Sequence, residues 1–147
     1  MDPIKNILVA VDFGNDDQVL LDRASQMAEI CKAKIWVVHI AAPEPDFVGY
    51  EPGPQYVRDI RATDLRTEHK SLKAYAENLM NAGIESDGLL IQGPTVNTIL
   101  EEAQKLKIDL FVVGNHKHGF LHRLFNEDVA MELTKKSNIP VLIVPLP

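Results

Sequence analysis

Residues 4–11 read Ile-Lys-Asn-Ile-Leu-Val-Ala-Val and residues 35–40 read Ile-Trp-Val-Val-His-Ile. Both runs have the length of a strand and are nearly continuously apolar, the pattern of a strand covered on both faces. Between them Val19, Leu20, Ala24, Met27, Ala28 and Cys31 recur at spacings of three and four. That rhythm places them on one face of a helix over 17–32, with residues 15–17 able to cap its start. Two successive strands joined through a helix run parallel, because the helix carries the chain back to its starting edge. This single unit commits the chain to an at least partly parallel sheet.

The rest of the chain repeats the alternation. From Ala41 to Gln55 four prolines and two glycines interrupt any periodicity, which predicts an irregular loop longer than usual connections. A long helix over 56–81 follows, its first half heavily charged and its end marked by Asn81-Ala82-Gly83. Then come a strand over 88–92, a helix over 95–106, a strand over 110–113, a helix over 128–136 and a last strand from Val141 to Val144. Five strands alternating with helices predict an α/β fold, an open, doubly wound parallel sheet with helices on both faces. A closed barrel needs about 250 residues. The 147 residues fit one domain, residues 1–147, around a single core.

Apolar residues make up 46% and charged residues 24% of the chain, ordinary globular values. The net charge of -6 argues against nucleic acid and anionic membranes as general partners. No apolar run approaches about 18 residues, so no membrane span is expected. Cys31 is the one cysteine, which rules out an internal disulfide and a multi-cysteine zinc site; its helical setting reads as core. The start, Met1-Asp2-Pro3-Ile4-Lys5, lacks the charge and apolar run of a secretory leader, and the expected location is the cytoplasm.

In doubly wound sheets ligands bind beyond the carboxyl ends of the strands, where the winding reverses. The most telling segment there is Gly114-Asn115-His116-Lys117-His118-Gly119-Phe120-Leu121-His122-Arg123, with three histidines, two fixed cations and no carboxylate. Glycines permit close approach of backbone amides to a phosphate, and a following helix presents free N–H groups and its positive end.

Residues 7–12 (Ile-Leu-Val-Ala-Val-Asp), Gln92-Gly93-Pro94, 109–114 (Asp-Leu-Phe-Val-Val-Gly) and 139–145 (Ile-Pro-Val-Leu-Ile-Val-Pro) together resemble the universal stress protein family, in order and over essentially the whole chain. The resemblance implies a Rossmann-like strand order 3-2-1-4-5, a homodimer paired through the last strand and, in one branch, ATP held between strands one and four. It also implies that Asp12 contacts the base or sugar side of the nucleotide, with Ala10 and Ile40 near the base. The nucleotide-binding branch carries glycine, two residues, glycine, nine residues, then glycine and a serine or threonine. Here Gly114 keeps the first position. Lys117 takes the second, and Glu127-Asp128, followed by Val129, take the closing pair. Two carboxylates where a triphosphate would approach repel it by about 1 to 4 kcal/mol depending on the dielectric. Lys117, with His116 and Gly119 beside it, pulls the other way.

Two readings of Asp12 stand side by side, nucleotide contact and cap of the following helix. His116, His118 and His122 read as a solvated basic loop rather than a metal site, and His39, Trp36 and Phe111 as packed residues. There is no Gly-x-Ser-x-Gly elbow, and Gln92 and Pro145 stand where a phospho-acceptor receiver domain would need an aspartate and a lysine. The expected function is a stress-response module that binds a nucleotide or an unidentified protein without turnover, its adenine-nucleotide binding weak or lost. The alternative is an ATP-dependent switch or slow ATP hydrolase. AMP or an adenosine-like ligand suits the surviving half of the site; magnesium would accompany only ATP.

Overall fold

A computed structural model describes residues 2–41, 55–116 and 127–147. Strands β1 (Asn6–Ala10), β2 (Lys34–Ala41), β3 (Ser86–Gln92), β4 (Leu110–His116) and β5 (Val141–Leu146) alternate with helices α1 (Asp17–Cys31), α2 (Gln55–Asn81), α3 (Thr95–Leu106) and α4 (Glu127–Lys136). The strands form one parallel sheet in the order β3-β2-β1-β4-β5. Fold class and strand order are those expected. The Pro/Gly-rich stretch before α2 lies mostly outside the described residues.

The apolar runs follow from this order. β1 is central, with neighbours on both edges and helices on both faces, and no residue from Ile7 to Val11 is more than 2% exposed. Ile7, Val9 and Val11 join Leu20, Leu21 and Ala24 of α1 and Leu72 and Leu79 of α2 in one layer. Leu8 and Ala10 face the opposite way, against Ile99 and Ala103 of α3 and Ala130 and Leu133 of α4. Period-two alternation therefore feeds two separate apolar layers, and neither face is left polar. Asp109 fixes the start of the central pair: its Oδ2 accepts the N–H groups of Lys5 and Asn6 at 2.8 and 2.9 Å, while its own N–H donates to Asn6 O at 2.8 Å.

Several expected strand bounds are corrected: β1 spans Asn6–Ala10 rather than 4–11, and β3 starts at Ser86 rather than 88. β4 runs past Val113 to His116 and β5 past Val144 to Leu146, because pairing continues through Gly114↔Val144, Asn115↔Pro145 and His116↔Leu146. Gly114 and His116 are thus strand residues, not the opening of a loop. A Cβ at Gly114 would displace the tip of the Leu146 side chain, so close packing across the ladder favours glycine here. Pro145 of β5 is tolerated because β5 is the edge strand. α2 stops through Gly83 at φ 88° as expected, whereas α1 and α3 end on Lys32 and Lys107 in the left-handed region, their N–H groups returning to Ala28 O and Ala103 O.

Phe111 is fully buried, but Trp36 is only half-buried. The Trp36 Nε1–H donates to Asn6 Oδ1 at 3.3 Å, and Lys34 Nζ lies 3.8 Å above its ring. Cys31, a free thiol, is half-buried against the α1/α2 layer. Among the described residues no helix is long and apolar enough to cross a membrane.

At Gly88 of β3 the α2 backbone comes close enough that a Cβ would stand 2.9 Å from Leu72 O. Backbone cannot swing aside as a side-chain tip can. Gly88→Ala is expected to cost about 1–3 kcal/mol by overpacking, seen as a lower urea midpoint at unchanged m-value.

Candidate functional site

The winding reverses between β1 and β4, the position at which an open parallel sheet forms a crevice. β1 pairs with β2 as far as Ala10↔Val38, and Val11 N–H still donates to Val38 O at 2.9 Å. Its pairing with β4 ends earlier, at Val9↔Val112, while β4 continues beside β5 to His116. Each strand keeps its outer neighbour and loses its inner one, so the pair parts at the carboxyl end.

On the β1 side of the parting stands Asp12, half-buried, with Oδ1 accepting the Gly14 N–H at 3.0 Å. This corrects the helix-cap reading: the carboxylate caps its own turn, an Asx turn, not α1. The helix N-cap is Asp16, with no side-chain cap bond, and Asp17 N–H donates to Gly14 O at 3.3 Å. On the β4 side, Asn115 Oδ1 is buried and has no hydrogen-bond partner among the described residues.

Ala10 and Ile40 are buried in the α3/α4 layer, and Val129 packs against the same layer. These three come together. His116 is the last residue of β4, Glu127 the first of α4, and Asp128 is exposed in the first turn of α4. Lys117 and Gly119, like His118 and His122, lie outside the described residues.

Beneath Asp12 is a polar cluster that the sequence reading did not assemble. Phe13 adopts φ 61°, and its ring lies 4.4 Å from the His39 ring and 6.2 Å from that of Tyr75, centroid to centroid. His39 is packed, as expected, its Nδ1–H donating to Val11 O at 2.7 Å; its Nε2 faces Glu68 Oε2 at 4.0 Å. Tyr75 OH donates to Asp17 Oδ2 at 2.8 Å, and Asp17 Oδ1 accepts the Asp12 N–H at 3.4 Å. The signal was present in the spacing. Asp17 precedes Leu20 and Leu21 by three and four residues, and Tyr75 follows Leu72 by three, so both lie on buried faces.

Only 5% of Asp17 is exposed. Burial pushes its carboxyl from the usual 3.8 up to about 6, against the pull of the Tyr75 hydroxyl and with the help of the Asp12 charge. Burial and the same hydrogen bond raise the Tyr75 phenol above its ordinary value.

The profile of the universal stress protein family matches residues 3–145. The chain belongs to the universal stress protein family. It is 33% identical over 122 residues to universal stress protein A homolog 1 of Coxiella burnetii, covering 82% of each chain. Universal stress protein C of Escherichia coli K12 is 31% identical over 143 residues, 96% of this chain and 95% of the relative. Among solved structures, a universal stress protein in complex with cAMP superposes with TM-score 0.67 at 23% identity, covering 99% of this chain and 100% of that one. The universal stress protein from Archaeoglobus fulgidus in complex with dAMP gives TM-score 0.63 at 21% identity, covering 95% and 97%. Both carry the fold of this family member.

Because folded Asp17 holds its proton more tightly than the unfolded chain does, its contribution to stability falls as pH rises from about 4 to about 6. Asp17→Asn removes this titration. Urea midpoints measured at pH 4, 5, 6 and 7 should show the variant gaining on the wild type across that window and running parallel to it above.

Proposed function

We propose that this universal stress protein is a non-enzymatic binding module whose crevice between β1 and β4 takes an adenine nucleotide with few phosphates, weakly. The parting of β1 from β4 beside Asp12 carries the proposal, since it forms a cleft where an open parallel sheet admits a ligand. Asn115 Oδ1, buried without a partner among the described residues, supplies an acceptor suited to an exocyclic amine or a hydroxyl. Asp12 is assigned to the base or sugar side, above the apolar floor of Ala10 and Ile40. Relatives of the same fold in complex with cAMP and dAMP carry a single phosphate each.

A triphosphate fits this chain less well. Glu127 and Asp128 place two carboxylates on the first turn of α4, and Gly114 is a packed strand residue. Like charges at that turn oppose each added phosphate. Lys117, His116 and Gly119 are assigned to the side of the phosphate, and magnesium has no role unless ATP binds. The ATP-switch alternative requires those groups to outweigh the two carboxylates.

A homodimer through β5 accompanies this proposal. β5 is the sheet edge, its Val141, Leu142 and Ile143 are only half-buried, and an uncovered apolar edge invites a second strand. Signalling would then pass to a protein partner by shape and charge.

Calorimetric titration of nucleotide-free protein is expected to give AMP a dissociation constant of about 0.1–1 mM, with ATP weaker. Asp12→Ala should abolish AMP binding, and Glu127→Gly with Asp128→Ser should admit ATP. Tight ATP binding by the unaltered protein would instead establish the switch. Sedimentation velocity should return a dimer.

A further inference from the structure

The nucleotide site proposed above makes no use of the polar cluster under Asp12, and a buried carboxylate is a costly way to fill a core position. An apolar residue at position 17 would pack beside Tyr75 without charging the interior. What the carboxylate does instead is join elements. Through Oδ1 it holds the backbone N–H of Asp12, on the turn that borders the crevice; through Oδ2 it holds Tyr75 of α2. Phe13 is held in the left-handed region between the rings of His39 and Tyr75, so the turn is strained and needs outside support.

We propose that Asp17 and Tyr75 are positioning residues for Asp12, and that protonation of Asp17 releases the β1–α1 turn and weakens ligand binding in the crevice. The step rests on the nucleotide site proposed above. A carboxylate accepts from both the Asp12 N–H and the Tyr75 hydroxyl; a carboxylic acid carries its own O–H, which competes with the phenol for the space between them and leaves a poorer acceptor for the amide. Both partners are donors, so the ionised form is the one that grips.

The groups facing Asp17 are the Asp12 carboxylate on the turn and the Tyr75 hydroxyl on α2, with His39 of β2 and Glu68 of α2 on the far side of Phe13. Among the described residues no lysine or arginine pairs with it. The balance of burial against the phenol hydrogen bond therefore sets its titration, and the grip should be lost as pH falls through about 6. The sign is definite: the turn is held above this pH and freed below it.

The test is an NMR titration of the full chain from pH 4 to 8, following the Asp17 side-chain carboxyl carbon and the amides of Asp12, Phe13 and Gly14. The expected result is one shared midpoint for all four signals, absent from the amides in Asp17→Asn. Tyr75→Phe, which removes the bond that favours the ionised form, should move the midpoint upward, and His39→Gln should leave it in place. Amides that ignore the carboxyl, or whose midpoint survives Asp17→Asn or vanishes with His39→Gln, would overturn the proposal.

In parallel, binding of cAMP, whose phosphodiester keeps its charge across this range where the phosphate of AMP does not, should weaken about fivefold or more from pH 7.5 to pH 5. In Asp17→Asn it should stay flat. Coupled amides with pH-independent cAMP binding would overturn the link to the crevice. Coupled amides with no nucleotide bound at any pH would overturn the nucleotide site while leaving the positioning of Asp12 by Asp17 in force.

Discussion

β1 must satisfy two neighbours at once, and the rest of the molecule is arranged around that demand. Its side chains are buried on both faces, so the strand has no polar side to turn outward, and its backbone has no water to fall back on. Asp109 meets the demand at the amino end by binding two β1-side amides. At the carboxyl end the demand cannot be met on both edges. β2 and β5 hold β1 and β4 apart from each other once the helices on opposite faces begin, and the amide of Val11 goes to Val38. The parting of the two strands is thus tied to the reversal of winding.

What lines it decides what it can hold. Asp12 stays in place because its own carboxylate closes the turn onto Gly14 and because Asp17 holds its amide from behind. The cost is paid in the α1/α2 layer, where a carboxylate, an imidazole, a phenol and a second carboxylate interrupt an otherwise apolar packing. Such a cluster ties three segments remote in sequence: the turn at 12–14, β2 at His39 and α2 at Glu68 and Tyr75. Tyr75 of α2 thus meets the segment beside Asp12 through two contacts, its hydrogen bond to Asp17 and its stacking on Phe13.

The architecture was legible because burial on both faces writes itself as nearly continuous apolar runs, and those at 4–11 and 35–40 have strand length and flank a helical pattern. Strand ends were less legible. Gly114 looked like the start of a loop because the apolar run ends at Val113, and only the Leu146 side chain across the ladder shows why a small residue is favoured there. The buried cluster was hidden for a different reason. Asp17 near a helix start reads as an ordinary favourable charge, and Tyr75 as one more ring on an amphipathic helix; the hydrogen bond between residues 58 apart is a property of the fold. Lys32 and Lys107 likewise end helices in a conformation that composition gives no reason to expect.

The acidic pair that opens α4 bears on the proposed phosphate side of the site through the chemistry of a helix start. A helix start carries about half a positive charge and unsatisfied N–H groups, and a phosphate or a carboxylate can answer either need. With Glu127 and Asp128 in the first turn, that end of α4 has anions supplied by its own chain. Each such residue stabilises the helix by about 0.3–1 kcal/mol, and the same interaction is then missing from what an incoming phosphate could gain. A ligand whose affinity came mainly from its phosphates would lose most by this exchange; one held by its base and sugar at Asp12 and Asn115 would lose least. On the proposed reading, charge placement at α4 would select against long phosphate chains and leave discrimination to the β1 side, where Asp17 holds the Asp12 amide.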